Sequence, residues 1–146
     1  MARGSVFRLP RLLTRNRIKT RYAPRRNGRP DPGEVVWAWV PYEDDPAQGK
    51  DRPVLVVAVQ GPKVIGLALT SKDHDHDAAQ EARAGRVWMD VGSGDWDRSR
   101  RPSEVRLNRF LVLDAAAVRR EGGAMPRAMF DRVVEAATPH LPEVPQ

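Results

Sequence analysis

The sequence predicts a small, mostly β barrel with a C-terminal amphipathic helix. Five or more short segments are rich in β-branched and aromatic residues, and polar stretches with Pro or Gly separate them. Near the C-terminus, the apolar residues instead recur at helical intervals. The 146 residues suffice for one domain with a real core but not for two domains of ordinary size. A small sheet covered by one helix is the fold class that satisfies these observations.

The first three predicted strands are separated by a polar loop and then by a tight turn. Gly33–Pro41 alternates Val and Trp with Val and Ala, which predicts a strand that is apolar on both faces. A polar loop with Pro and Gly follows over Tyr42–Asp51. Arg52–Gln60 and Lys63–Ser71 flank a Gly-Pro turn, so we predict that they form a hairpin.

The next part of the chain is predicted to contain longer loops between strands. Lys72–Gly85 is polar and is predicted as a loop, and Arg86–Val91 is predicted as a strand. After a second loop over Gly92–Pro102, Ser103–Asp114 is predicted as one strand or a pair of strands. Its apolar alternation changes phase around Asn108-Arg109, which indicates a bend or a bulge.

Two helices are predicted after these strands. Asp114 is suited to cap a short helix that ends before two glycines. A longer amphipathic helix begins near Pro126, which occupies a favourable first-turn position. Its apolar residues, at helical spacing, are Met129, Phe130, Val133, Val134 and Ala137.

The first 30 residues differ sharply in composition from the rest. They hold ten Lys and Arg and no acid, whereas the remaining residues hold 15 basic against 19 acidic groups, a formal net charge of −4. Prolines and glycines mark a boundary near residue 31, so we predict a basic, flexible arm over residues 1–31 and a barrel domain over residues 32–146. A dense arginine arm is suited to sequence-independent phosphate binding. An organellar presequence or a solvated tail has the same composition, and both interpretations stay open.

Several features that the sequence lacks exclude whole classes of function. The lack of cysteine excludes a disulfide framework and a thiolate metal or redox site. No apolar run approaches the roughly 20 residues that span a bilayer, so we expect a soluble, cytoplasmic protein with no membrane partner. Gly92-Ser93-Gly94 lacks the lysine and the strand-to-helix context of a nucleotide loop, and no serine elbow is present. No cofactor is therefore expected.

The stretch LTSKDHDHD, residues 69–77, holds two of the three histidines. In an extended segment His74 and His76 project to one face and the neighbouring aspartates to the other. A catalytic zinc needs three protein ligands, and the third would have to come from His140 or a distant carboxylate. A solvated loop is therefore favoured, and no metal site is predicted. Acid–base catalysis by the pair is disfavoured, since neighbours on one loop do not easily straddle a phosphate.

Three segments occur in the order GEVVWAWVPYEDDPAQGKDRPVLVVA, VIGLALTSK and SEVRLNRFLVLD, ahead of the C-terminal helix. In this arrangement the chain resembles the MazF/PemK family of toxin endoribonucleases over residues 33 to about 137. The matching positions are Gly33–Trp37 in the first strand, Arg52-Pro53 at the start of the second, and Thr70-Ser71 at the end of the third. The pairing of QGKDRPVLVV with LTS about one strand later is the most specific element.

The resemblance implies an SH3-like barrel that forms a homodimer and cleaves single-stranded RNA, such as mRNA, without a metal. Cleavage in the family uses the ribose 2′-hydroxyl as nucleophile and leaves 2′,3′-cyclic phosphate and 5′-hydroxyl ends. The catalytic arginine and threonine of the family fall on Arg52 and Thr70. The family's partner is a small antitoxin, whose extended tail occupies the RNA groove.

The chemistry of the two residues agrees with these roles. A guanidinium at a loop–strand junction offers a planar fork of donors to the two non-bridging oxygens of a scissile phosphate. The Thr70 hydroxyl reaches the same phosphate if the two strand ends adjoin. The structural alternatives are an ion pair of Arg52 with Asp51 and an ordinary strand position for Thr70.

Further substrate contacts are expected around this pair. They are predicted for Gln48, Lys50, Ser71, Lys72 and Trp96. Lysines add cations, Ser71 adds a donor, and the Trp96 ring is expected to stack on an unpaired base. Trp37, Trp39 and Trp88 lie in predicted strands and are expected in the core or in a dimer contact.

The loop acids Glu43, Asp44 and Asp45 depart from the family pattern, because they are unusual beside an RNA site. A second function is therefore also compatible with the sequence. It is a non-enzymatic RNA-binding or regulatory barrel that uses the basic arm, within a larger ribonucleoprotein. A barrel used mainly for protein contacts is a third hypothesis.

Overall fold

The computed structural model describes residues 22–24, 29–71, 78–120 and 122–141. Within them, an antiparallel sheet is followed by a C-terminal helix, which confirms the predicted fold class. Short 3-10 helices cover Ala115–Ala117 and Thr138–His140. The strands and α-helices are β1 (Val35–Pro41), β2 (Gly49–Gln60), β3 (Lys63–Thr70), α1 (Ala78–Arg83), β4 (Trp88–Gly92), β5 (Ser103–Arg106), β6 (Leu111–Asp114) and α2 (Arg127–Ala137).

The sheet has the strand order β1-β2-β3-β5-β4, and β6 pairs with the first half of β3. β3 therefore changes partner along its length, because its last residues pair with β5 instead. The sheet curls, and β1 meets the segment after β6 through a bridge between Trp37 and Arg119. Their backbone groups exchange two N–H···O bonds of 2.7 Å. Among the described residues, no continuous ladder closes the barrel.

Both faces of the sheet are apolar, as the alternation in β1 predicts. One face packs on α2 and forms the core cluster, to which β1 contributes Val35 and α2 contributes Phe130 and Val133. The opposite face forms the inner cluster inside the curl of the sheet. Its buried members are Val36, Ala38, Val40, Val54, Val56, Val64 and Leu111. The small residues of the inner cluster match the limited space inside a tightly curled sheet.

The predicted C-terminal helix is confirmed. It follows Pro126, whose fixed φ and missing N–H are compatible with a helix start. Phe130, Val133 and Ala137 are buried, while Met129 and Val134 are partly buried at the edge of the core cluster. This stripe covers the sheet.

Part of the predicted basic arm lies against the domain. The Tyr22 hydroxyl donates a 2.6 Å hydrogen bond to the carbonyl of Met125. Its ring centroid is 5.4 Å from that of Phe130. Ala23 N–H donates to the carbonyl of Pro32 at 2.9 Å. Residues 1–21 and 25–28 lie outside the described residues.

Several local predictions differ from the structure. β2 begins at Gly49, three residues before the predicted start. The end of the predicted loop, Gly49–Asp51, pairs with Trp39–Pro41 of β1 and so belongs to the strand. The predicted loop over residues 72–85 contains α1. Asp114 makes no side-chain cap and instead forms a 2.6 Å ion pair with Lys63 on the neighbouring strand. The predicted break near residue 108 is confirmed, since β5 ends at Arg106. No helix of the described residues is long and apolar enough to cross a membrane.

Candidate functional site

The two residues predicted to be catalytic lie in one row across the sheet. Arg52 pairs with Ala38 of β1, and Thr70 pairs with Glu104 of β5. Val54 pairs with Ala68, so continuing this antiparallel register by two residues places Arg52 across from Thr70. Cross-strand partners project their side chains to the same face of a sheet. The hairpin thus brings together two residues that are far apart in the sequence.

Arg52 and Thr70 line one cavity of about 300 Å³ beside the β1–β2 loop. Three further arginines, Arg86, Arg106 and Arg109, line the same cavity. We call this cavity the arginine cleft and define it by these five residues. Its four guanidinium groups exceed the three carboxylates of the lining, which belong to Glu43, Asp44 and Glu81, so the cavity is suited to an anionic ligand.

The most buried cation of the cleft is Arg106. Its guanidinium donates to both carboxylate oxygens of Glu43, from Nη1 to Oε1 at 3.0 Å and from Nη2 to Oε2 at 3.2 Å. Nε donates to Asn108 Oδ1 at 2.5 Å. The guanidinium carbon lies 6.0 Å from the ring centroid of Trp88. These contacts fix the orientation of the guanidinium plane.

A second acid, Glu81, also lines the cleft. The buried Glu81 carboxylate of α1 accepts from Arg86, through Nε at 3.0 Å and Nη2 at 2.7 Å. The Trp88 indole Nε1 donates to the same carboxylate at 2.7 Å. Because of its hydrogen bonds to Glu81, the pKa of Arg86 is raised. This network attaches α1 to β4 at the edge of the cleft.

The charges in the cleft shift two further pKa values. Burial acts most strongly on the Glu43 carboxyl and by itself raises its pKa. The Arg106 hydrogen bonds and the charges of Arg106, Arg109 and Arg86 outweigh burial, so the pKa of Glu43 is lowered. For Arg109, burial has the largest effect and lowers the pKa. The charges of Arg106 and Arg52 lower it further, while the charge of Glu43 raises it. Arg109 Nη2 donates to the carbonyl of Pro41 at 2.8 Å, which ties the end of β1 to the cleft.

Arg52 does not pair with its neighbour Asp51. Successive residues of a strand project to opposite faces, and Asp51 forms an ion pair with Arg119 on the other side of the sheet. Among the described residues, Arg52 makes no hydrogen bond or ion pair through its side chain. Its guanidinium is therefore available to a ligand.

The other residues predicted to bind substrate have different positions. Lys50 is exposed and lies on the Arg52 face of β2, outside the lining of the cleft. Gln48 Nε2 donates to Asp45 Oδ2 at 2.9 Å within the β1–β2 loop. Ser71 is exposed directly after Thr70. Lys72, His74 and His76 lie outside the described residues.

The stacking role predicted for Trp96 is wrong. Only 2% of Trp96 is exposed, and its ring belongs to the core cluster. Its indole Nε1 donates to Ser103 Oγ at 3.1 Å. A Cβ on Gly94 would lie 2.2 Å from this ring, so the glycine makes room for it. Aromatic rings in the lining of the cleft come from Tyr42 and Trp88 instead, while Trp39 is the most exposed large apolar residue among those that the structure describes.

Sequence reasoning missed Arg86, Arg106, Arg109 and the contact of Glu43. Arg106 and Arg109 lie on either side of the predicted break, where the alternation gives no reliable face. Arg106 pairs with Trp88 across β4 and β5, which a predicted strand pairing would have revealed. In the part of the chain that the structure describes, no group of three His, Asp or Glu is placed to hold a metal.

The fold and the cleft define a small antiparallel β protein with an arginine-lined cavity at its strand ends. The chain belongs to the family described as PemK-like, MazF-like toxin of type II toxin-antitoxin system, whose model matches residues 31–141. The predicted family is therefore confirmed, and membership implies a ribonuclease toxin at the level of the family.

Two solved structures that contain MazF toxins are similar to this chain. A MazE–MazF complex from Deinococcus radiodurans matches with 19% identity and a TM-score of 0.49, over 74% of this chain and 91% of that chain. The Mycobacterium tuberculosis toxin MazF-mt6 matches with 18% identity and a TM-score of 0.48, over 73% of this chain and 94% of that chain. A search of curated proteins finds no match.

Proposed function

We propose that this protein is an endoribonuclease toxin that cleaves single-stranded RNA, such as mRNA, without a metal ion. The 2′-hydroxyl of the ribose attacks the adjacent phosphorus, and the bond to the 5′-oxygen breaks. The products are a 2′,3′-cyclic phosphate and a 5′-hydroxyl. The observation that carries the proposal is the position of Arg52 and Thr70 in one cavity with three further arginines.

The chemistry of the cleft is compatible with this reaction. Negative charge builds on the non-bridging oxygens as the 2′-oxygen adds to phosphorus. The Arg52 guanidinium donates two N–H groups in a plane, and its lack of an ion pair with a described residue leaves both for these oxygens. The Thr70 hydroxyl lies on the same face and donates a further hydrogen bond to the same phosphate.

The proton count of the reaction also balances. The 2′-hydroxyl loses one proton and the departing 5′-oxygen gains one, so the cleavage step consumes no water and needs no external oxidant or nucleophile. The cationic charge that a metal would supply in other nucleases is supplied here by guanidinium groups.

The remaining contacts belong to the same proposal. Ser71, Lys72, Lys50 and Gln48 hold the RNA strand on either side of the scissile phosphate, and the basic arm adds sequence-independent phosphate contacts. The protein acts in the cytoplasm as a homodimer, and a cognate small antitoxin inhibits it.

The test is cleavage of single-stranded RNA in EDTA, followed by analysis of the new ends. Wild-type protein is expected to give cyclic phosphate and 5′-hydroxyl ends. Arg52→Ala and Thr70→Val each lower the rate by about 100-fold, the usual cost of removing one donor to a transition-state oxyanion. Arg98→Ala is the matched control, because this exposed arginine lies outside the cleft, and it keeps the wild-type rate.

Three results would contradict the proposal. They are full activity in both cleft variants, loss of wild-type cleavage in EDTA, and intact RNA that binds tightly and in a salt-sensitive way. The last of these would instead identify the non-enzymatic RNA-binding module.

A further inference from the structure

The β1–β2 loop places a carboxylate inside a cationic cavity. The loop carries Glu43, Asp44 and Asp45, and its ends are joined by a 2.9 Å bond from Tyr42 N–H to the carbonyl of Gln48. Glu43 and Asp44 line the arginine cleft, whereas Asp45 is not one of its lining residues and accepts from Gln48 Nε2. The loop therefore contributes an anion to the region where an RNA phosphate is expected.

The ion pair between Glu43 and Arg106 is asymmetric in burial. The Arg106 side chain is 8% exposed, and the Glu43 side chain is 49% exposed. Arg106 is also held by Asn108 and lies over Trp88, as described above. The guanidinium is therefore fixed by its strand, and the carboxylate on the exposed loop is the partner that can leave.

A departing Glu43 would leave a buried cation that requires another anion. Removing one member of a desolvated charge pair is costly because the remaining charge stays uncompensated. A phosphodiester meets the requirement, since its two non-bridging oxygens accept the same two parallel N–H groups as a carboxylate. Arg106 lines the same cavity as Arg52 and Thr70, so one nucleic acid strand in that cavity is expected to reach all three residues.

We infer that Glu43 is an internal competitor of the substrate: its carboxylate occupies the Arg106 fork in the free protein and is displaced by a phosphodiester of the bound strand. The inference rests on the proposed function, because the displacing strand is the one held at Arg52 and Thr70. It also accounts for the acidic loop beside an RNA site.

The competition lowers the apparent affinity for nucleic acid. When only a fraction of the molecules has an open site, the apparent dissociation constant rises by the inverse of that fraction. Glu43→Gln keeps the shape of the side chain but removes the charge that holds it on Arg106. We expect a single-stranded ligand to bind this variant about 3- to 10-fold more tightly.

The test measures binding without cleavage. A fluorescent single-stranded oligoribonucleotide with 2′-O-methyl groups is titrated with wild-type, Glu43→Gln and Asp45→Asn protein, and anisotropy gives the dissociation constants. Asp45→Asn is the matched control, because it makes the same change of net charge in the same loop outside the cleft. The gain is expected in Glu43→Gln alone, and it disappears when Arg106→Gln is added to that variant.

Equal gains in Glu43→Gln and Asp45→Asn would overturn the inference, since net charge would then explain both. An unchanged or weaker affinity of Glu43→Gln overturns it as well, and so does an absence of binding in every variant. The folded state of each variant is checked by its thermal midpoint, and Glu43→Asp provides a second probe. Its carboxylate is one methylene shorter and reaches the Arg106 fork less well, so its affinity lies between those of wild type and Glu43→Gln.

A separate cleavage assay distinguishes the two proposals. If wild type does not cleave RNA but Glu43→Gln gains affinity, the proposed function fails and the competitor role of Glu43 stands. If cleavage occurs with the expected ends but Glu43→Gln gains no affinity, only the competitor role fails. When both hold, Glu43→Gln lowers KM and leaves kcat within about 2-fold, because the change affects entry of the strand rather than the transition state.

Discussion

The Glu43–Arg106 pair of the arginine cleft and the Asp97–Arg101 pair of a second cavity, on the other face of β1, bury opposite members. The second cavity, which we call the loop cavity, has a volume of about 580 Å³ and lies between Trp37 and the loop after β4. It too combines arginine, acid and tryptophan. The Glu81–Arg86 pair of the arginine cleft buries its acid, but in the Glu43–Arg106 pair the buried partner is the cation, Arg106. In the loop cavity it is the anion, since the Asp97 side chain is 9% exposed and that of Arg101 is 62% exposed.

The difference distinguishes the proposed binding site from a structural cavity. Asp97 accepts from Ser99 N–H and from Arg101 Nε, both at 2.9 Å, so its charge is used within its own loop. The same turn holds Arg100 at a φ of 52°, a left-handed conformation that needs such local support. A buried anion repels phosphate, whereas a buried cation under an exposed carboxylate attracts it. The sign of the buried charge thus distinguishes the Glu43–Arg106 pair from the Asp97–Arg101 pair.

The largest expected effect comes from the tryptophans of the two cavities. Trp96→Ala removes a ring that is 2% exposed and is expected to lower the free energy of unfolding by about 3–5 kcal/mol. Trp88→Ala removes a partly buried ring at the edge of the cleft and is expected to cost about 1–2 kcal/mol. Urea denaturation of both variants measures the difference. Equal losses would mean that the cleft is as much a part of the core as the loop cavity.

Removing the acid of each ion pair should likewise destabilise the protein more in the loop cavity than in the arginine cleft. Asp97→Ala leaves Ser99 N–H and Arg101 without their acceptor and is expected to destabilise the protein by about 1–3 kcal/mol. Glu43→Ala also leaves Arg106 without its carboxylate, but water reaches the site of the half-exposed Glu43 side chain, so the expected cost is smaller, about 1 kcal/mol. Chemical denaturation near neutral pH is the measurement, and Asp45→Ala is the exposed control. A larger loss for Glu43→Ala than for Asp97→Ala would reverse the distinction between the cavities.

Much of the fold could be predicted from patterns formed by residues that are close together in the sequence. The alternation of β1, the Gly-Pro turn of the hairpin and the helical spacing near Phe130 are local signals, and each is confirmed. α1 was not predicted because its sequence is polar. Its attachment comes from Glu81, which is held by Arg86 and Trp88 after the helix has ended.

The site was predictable only where a motif coincided with a hairpin. Arg52 and Thr70 were assigned by the resemblance to the MazF/PemK family, and the recognisable turn between their strands indicated that they lie close together. The contact of Glu43 with Arg106 joins residues 63 positions apart, and no local pattern indicates it. The burial of Trp96 depends on Gly94 and on Ser103, so a tryptophan in a polar loop was wrongly assigned to the surface.

The smallest expected effect is a pH dependence that belongs to the arginine cleft. The pKa of Glu43 is lowered below its ordinary value of 4.5 by Arg106 of β5, by Arg109 after that strand and by Arg86 before β4, against the effect of burial. A lowered folded-state pKa means that the carboxylate contributes its full stability above the ordinary value and loses it as the pH falls through the lowered one. The urea midpoint of wild type should therefore fall more steeply than that of Glu43→Gln between about pH 5 and pH 3. Because the carboxylate is half exposed and solvent screens its charge, the two curves should separate only slightly. Parallel curves would show that the Arg106 fork does not hold Glu43 in solution, and the cleft would then be open without a displaced anion.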